Sequence, residues 1–280
     1  MNGLTDNSCG ADTTSGHDTI RAIRWRDDTL SLLDQRRLPE EEIWLCPGDA
    51  AAVTSAIRDM VVRGAPAIGI TAAYGVVLSA RQHYRSSGKA WQEKLVADMD
   101  LIGSARPTAV NLAWALSRMQ ECLQVAGTAP VAEVLEEARR IHTEDIEANH
   151  IMGELGAGLI DAGMSVLTYC NTGSLATGGY GTALGVIRSA WRAGKLREVF
   201  AGETRPWLQG ARLTAWELMR DRIPVMLMTD NSAAALMQGG RVQWVITGAD
   251  RVTANGDVIN KIGTCSLAII ARHYGVRFMV

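Results

Sequence analysis

The sequence predicts an α/β protein in two parts. A small antiparallel β-meander with a helical bundle comes first, and a Rossmann-like, doubly wound parallel sheet follows. Three observations carry this reading. Short alternating segments occupy residues 20–46, apolar residues at i, i+3, i+4 spacing dominate residues 50–155, and from about Ser165 short apolar runs alternate with helical stretches. The corresponding division is a disordered tail over 1–19, an N-terminal meander and helical domain over 20–155, and a Rossmann-like domain over 156–280.

In the meander, residues 20–25, 29–33 and 42–46 are the strands, separated by the turn signals Asp27-Asp28 and Leu38-Pro39. Helices are expected over 50–62, 67–83, 91–102, 108–125 and 131–155. Asp49 and Thr108 are the candidate N-caps, and Pro66 and Pro107 stand at helix entries. Trp and Met residues in these helices read as core. In the second part, apolar runs at 166–170, 199–201, 225–229, 244–247 and 276–280 read as buried parallel strands. In such sheets ligands bind beyond the carboxyl ends of the strands. Four of the five runs end in polar strings: Cys170-Asn171-Thr172, Gly202-Glu203-Thr204-Arg205, Thr229-Asp230-Asn231-Ser232 and Thr247-Gly248-Ala249-Asp250-Arg251.

Composition excludes several classes. A formal charge of −2 leaves no basic footprint for nucleic acid. No apolar run reaches the roughly 18 residues that span a bilayer, so no membrane partner is expected. Residues 1–18 lack the charged-then-apolar order of a signal peptide. The five cysteines are scattered and odd in number, with no CxxC pair, which suits a reducing cytoplasm and argues against a disulfide framework or a zinc site.

Cys170 ends an apolar strand and opens a glycine- and hydroxyl-rich loop leading to a helix with Gly181 near its start. A thiol facing a helix N-terminus is expected to have a lowered pKa and to act as a nucleophile or acid/base group. Alone, the residue reads first as a buried structural cysteine, and the motifs further along the chain tip the balance toward chemistry. Asp250, from another strand of the same rim, is a carboxyl that partly apolar surroundings would push toward neutrality; alone, it reads equally as a cap or a partner of Arg251. Together they make an acid/base pair that needs no metal and no cofactor. Lys261, expected to open the next helix beside Gly263 and Thr264, reads as a phosphate contact. Arg63 before Gly64 and Pro66, and Arg106 before Pro107, repeat that logic with a bidentate fork. Gly178-Gly-Tyr-Gly181 is too degenerate for a nucleotide site, and no GxGxxG, Walker, HExxH or GxSxG string is present.

The strings Arg63-Gly-Ala-Pro-Ala-Ile-Gly69, Arg106-Pro-Thr-Ala-Val-Asn111, Cys170-Asn-Thr-Gly, Gly202-Glu-Thr-Arg-Pro, Gln209-Gly-Ala-Arg-Leu-Thr214, Asp230-Asn-Ser, Gly248-Ala-Asp-Arg251 and Asn260-Lys-Ile-Gly-Thr264 resemble the methylthioribose-1-phosphate isomerases of methionine salvage. The resemblance runs from about Ile20 to the last residue. It implies an aldose–ketose isomerase acting on a small sugar phosphate, in the cytoplasm and as a homodimer. Cys170 and Asp250 are then the catalytic pair. Arg63, Gly64, Ala65, Arg106, Asn260 and Lys261 are the phosphate and substrate contacts, and Gln209 lies in the substrate pocket. Members of that family continue for several tens of residues past a point like Val280, so lower stability or activity is expected of this chain. A ribose-1,5-bisphosphate isomerase, a 5-deoxyribose 1-phosphate activity and a non-catalytic regulatory subunit of the initiation factor 2B type are the alternatives the strings leave open.

Overall fold

A computed structural model describes residues 17–127 and 129–280. Most of the expected tail, residues 1–16, lies outside the described residues. From His17 on, the segment runs against the second part: Thr19 Oγ1 donates to Asp221 Oδ1 at 3.2 Å.

Strands β1 (Ile23–Arg26), β2 (Thr29–Leu33) and β3 (Trp44–Leu45) form the antiparallel meander in that order. Asp27 and Asp28 take positive φ of 47° and 61°, the left-handed pair that a two-residue hairpin requires and that Asp tolerates. Leu30 and Leu32 point the buried side of the meander into a core shared with five helices. These are α1 (Ala50–Arg58), α2 (Ala65–Ser86), α3 (Trp91–Ser104), α4 (Val110–Val125) and α5 (Pro130–Gly158). Asp49 caps α1 as expected, its Oδ1 accepting from Ala52 N at 2.8 Å. Thr108 does not cap α4. The chain turns through Arg106–Ala109, with Ala109 N bonded to the Arg106 carbonyl at 3.0 Å, and α4 starts after Ala109 with no side chain on its first amides. Helix α5 packs on α2 and α4 in one direction and on α6 (Ala183–Arg192) in the other, so it is continuous across the two parts.

The second part is a five-stranded, wholly parallel sheet of β4 (Met164–Thr168), β5 (Leu196–Gly202), β6 (Met226–Met228), β7 (Trp244–Ile246) and β10 (Arg277–Met279), in the order β10-β7-β4-β5-β6. All five apolar runs picked out in the sequence are strands of it. Alternate residues face opposite layers, as the two-residue period of a strand demands. Val166, Val199 and Ile246 pack with α6 (Ala183–Arg192) and α7 (Ala215–Arg220). Leu167, Phe200 and Val245 pack with α8 (Ala233–Gln238) and α9 (Thr264–His273). Among the described residues no helix is long and apolar enough to cross a membrane.

The strand order sets the position of the site. From β4 the chain winds outward through β5 to β6, then crosses back to lay β7 on the other side of β4. The adjacent pair β4 and β7 is therefore the topological switch point, where the crossovers leave in opposite directions and a crevice opens at the carboxyl ends. A small apolar cluster of Ile20, Ala22, Leu33, Leu38, Leu175 and Leu213 seals the two parts together beside that crevice.

Candidate active site

Cys170 follows β4 by two residues and Asp250 follows β7 by four, so both stand over the switch point. The chain holds Cys170 in the left-handed region, φ 67°, which a non-glycine residue adopts only under constraint. The constraint is visible. Cys170 N donates to Thr204 Oγ1 at 2.9 Å, and its carbonyl accepts from Thr214 Oγ1 at 2.6 Å. Thr204 is held in turn by Asp230, whose Oδ1 accepts from Thr204 N at 2.8 Å. The thiol-bearing residue is 6% exposed and opens onto a cleft of about 550 Å³.

Asp250 reaches the same cleft through a hairpin the sequence did not announce. Its N donates to the Ile259 carbonyl at 2.9 Å, and β8 (Arg251–Val252) pairs with β9 (Val258–Ile259) immediately beyond. That hairpin returns the chain so that Lys261 lines the cleft opposite Asp250. Lys261 does not open a helix. Thr264 N bonds to its carbonyl at 3.0 Å in a turn, and α9 starts at Thr264.

The helical part supplies the other wall. Gly64 has φ 93°, and a Cβ there would collide with the Ala176 carbonyl, so glycine alone lets the start of α2 lie on the loop after β4. Gly64 and Ala65 line the cleft, as do Ala109, Val110 and Asn111 at the start of α4. Neither helix has a side-chain cap, so both present free amides and the positive ends of their dipoles. These are the helix N-termini that share the cleft with Cys170; α6, expected in that role, starts at Ala183 and does not line it.

The charge of the cleft is lopsided. Arg36, Arg63, Arg106, Arg212, Arg251 and Lys261 line it, against one carboxylate, Asp250. Arg212 is committed to the carbonyls of Gln35 and Leu38, and Arg36 to Asp34. Arg63 lends Nη1 to Asn171 Oδ1 at 2.6 Å and Nη2 to the Asn171 carbonyl at 3.1 Å, so its fork grips the residue next to the thiol and its remaining donors stay open. Burial pulls its guanidinium below its ordinary range, while the charges of Cys170, Glu217 and Asp250 hold it up and Arg106 pushes it further down. Arg106, Arg251 and Lys261 make no ion pair among the described residues. Each predicted site residue thus lines one cleft, except Asn260. That side chain donates to Thr264 Oγ1 at 3.1 Å and closes the Lys261 turn.

Sequence reasoning missed the support beneath the cleft. Glu217, fully buried, accepts from Asn171 Nδ2 at 2.8 Å, Ser174 N at 2.7 Å and Arg188 Nη2 at 2.9 Å. Arg188 also bonds Asp221 Oδ2 and the Tyr180 carbonyl. This network fixes the glycine-rich loop from below. Gly178-Gly-Tyr-Gly181 is tied to α5 as well, through Asp145 Oδ2 to Gly178 N at 2.7 Å and Asn149 Nδ2 to the Gly179 carbonyl at 3.1 Å. A carboxylate and an arginine on amphipathic helices look solvated in a sequence; only the tertiary partners mark them.

Known proteins match this geometry and chain together. The methylthioribose-1-phosphate isomerase of Alkalilimnicola ehrlichii is 61% identical over 94% of this chain and 76% of its own length. That of Thioalkalivibrio sulfidiphilus is 58% identical over 96% of this chain and 77% of its own. The chain belongs to the methylthioribose-1-phosphate isomerase family. The wider Initiation factor 2 subunit family profile matches residues 61–280. Among solved structures, 5-methylthioribose 1-phosphate isomerase from Pyrococcus horikoshii superposes with a TM-score of 0.86 at 41% identity, covering 92% of this chain and 73% of that one. The A. fulgidus structure named translation initiation factor eIF-2B, subunit delta, gives 0.85 at 43%, covering 92% and 76%.

Proposed function

We propose that Cys170 and Asp250 are the acid/base pair with which this isomerase converts 5-methylthioribose 1-phosphate into 5-methylthioribulose 1-phosphate, a step of methionine salvage. The observation that carries the reading is their juxtaposition. A thiol from β4 and a carboxyl from β7 flank the switch point and share one cleft with free cations and two uncapped helix N-termini.

The substrate explains the need for two groups. Its anomeric oxygen is esterified, so the ring cannot open to a free aldehyde. Asp250, in its acid form, gives a proton to the ring oxygen as the C1–O ring bond breaks. Cys170, as thiolate, takes the C2 proton, and the C1–C2 double bond of a cis-phosphoenolate forms. The 2-hydroxyl proton then returns to Asp250 and the C2 carbonyl forms, while the thiol delivers its proton to C1. Both groups end as they began, which is what turnover requires. Arg106, Lys261 and the α2 and α4 amides hold the phosphate, and Arg63 lies between phosphate and thiol. The cations of this wall also favour the electron density that shifts onto the C2 oxygen as its proton leaves. On the same reading the working unit is a cytoplasmic homodimer.

Turnover of the substrate in deuterated water tests the reaction. The account expects ketose phosphate in which C1 carries solvent deuterium. Ketose with the original C2 hydrogen fully retained at C1 would replace the enolate with a hydride shift, and absence of ketose would remove the isomerase assignment.

A further inference from the structure

Two residues that line the cleft each carry a buried amide oxygen without a donor. Gln35 and Gln209 both line it and are 2% and 8% exposed, and the Oε1 of each has no hydrogen-bond partner. A buried amide oxygen left unpaired is the exception in a folded protein and calls for a reason. Gln209 was read from the sequence as a pocket residue; Gln35 was not.

Gln35 is held as a preset acceptor. Its Nε2 donates to the Leu175 carbonyl at 2.7 Å, and a carbonyl accepts only the NH₂ end of an amide, so Oε1 is the end left over. Its backbone is fixed too: Gln35 N donates to the Val61 carbonyl at 3.0 Å, and its own carbonyl accepts from Arg212 Nη2 at 3.1 Å. The side chain therefore bridges the meander to the loop after β4, and cannot turn its oxygen away without releasing Leu175.

The missing donor follows from the substrate's chemistry. The cations and helix amides suit the phosphate, which offers only acceptors. A furanose 1-phosphate also carries two ring hydroxyls, at C2 and C3, each an O–H donor. Two unpartnered neutral acceptors in the wall of the cleft match two hydroxyls in number. We propose that Gln35 is a specificity-determining residue whose Oε1 accepts a hydrogen bond from one ring hydroxyl of the sugar, with Gln209 serving the other. This rests on the isomerase reading and adds a residue to it. A site built around buried acceptors rejects a ligand lacking the matching hydroxyl, because the acceptor then stays unpaired.

The test compares two ligand pairs in the unmodified chain and in Gln35→Met and Gln35→Glu variants. The first pair is methylthioribose 1-phosphate and its 3-deoxy analogue, compared by kcat/KM. The second is a ribo-configured, non-isomerising 1-phosphonate and its 2-deoxy counterpart, compared by inhibition constant. Each ratio is taken within one preparation, so a variant that folds only in part still gives a valid kcat/KM ratio. The unmodified chain is expected to prefer the hydroxylated ligand in at least one pair by about tenfold to a hundredfold, and Gln35→Met to bring that preference down to within a few-fold. Gln35→Glu, which keeps an acceptor, is expected to retain more of it than Gln35→Met. Preferences in both pairs that are the same in the unmodified chain and in Gln35→Met overturn the assignment while leaving the isomerase reading intact. A folded parent with no turnover overturns both.

Discussion

Two charged clusters lie on either side of the loop that follows β4, and they differ in one respect. Below the loop, Arg188, Glu217 and Asp221 are fully buried and every charge has its partner. Above it, Arg106, Arg251 and Lys261 line the cleft with no ion pair among the described residues, and Arg63 has donors to spare. Arginine is common to both; the balance of donors and acceptors is not. A closed network specifies a shape, whereas an open one specifies a ligand. Asn171 joins the two, taking Arg63 on its carbonyl oxygen and giving its amide protons to Glu217 and Thr214.

The largest expected effect comes from opening the closed cluster. Arg188→Met leaves two buried carboxylates facing each other, and breaking such a network costs about 3–5 kcal/mol. Thermal or urea unfolding should show that loss, with little soluble protein at 37 °C. Removing an open charge should do the reverse. Arg106→Ala and Lys261→Ala are expected to leave the unfolding midpoint within a degree or two. Each should lower kcat/KM by about tenfold to a hundredfold, as befits one lost charge-assisted hydrogen bond. Unfolding of either variant as severe as that of Arg188→Met would erase the distinction between the clusters.

A smaller effect belongs to the clamp on Cys170. Thr204→Val removes the acceptor for Cys170 N and should cost about 1 kcal/mol in stability. It should also lower kcat without raising KM, because the clamp positions Cys170, and Thr204→Ser should restore kcat. The smallest concerns pH. His142 is buried between the Gly178 carbonyl and Tyr74, and burial holds its pKa below the ordinary value, with the Gly178 bond opposing and Arg21 adding to the shift. A histidine so depressed binds its proton more readily unfolded, so its contribution to stability is present above the unfolded pKa and falls as pH drops below about 6.5. His142→Gln should flatten the unfolding midpoint between pH 7.5 and 5.5 relative to the parent.

The sequence carried the rim but not its underside. Cys170, Asp250 and Arg63 were legible because apolar strands and the proline-marked start of α2 fix where they stand, and Arg106 because it precedes the turn that leads into α4. The 251–259 hairpin was not, since two-residue strands leave no periodicity to read. Arg188 and Glu217 were hidden because each shares a short helix with an exposed arginine, Arg192 or Arg220, and nothing in the sequence shows its buried partners. Gln35 was hidden because its meaning lies in an oxygen with nothing to bond.

The central claim is that one thiol and one carboxyl at the switch point carry the chemistry. Isomerisation of methylthioribose 1-phosphate by the parent chain and by Cys170→Ala and Asp250→Asn tests it most directly. The account predicts turnover by the parent and a loss of about a thousandfold or more in kcat for each variant, both remaining folded. A folded Cys170→Ala or Asp250→Asn protein that turns over within a few-fold of the parent would contradict it.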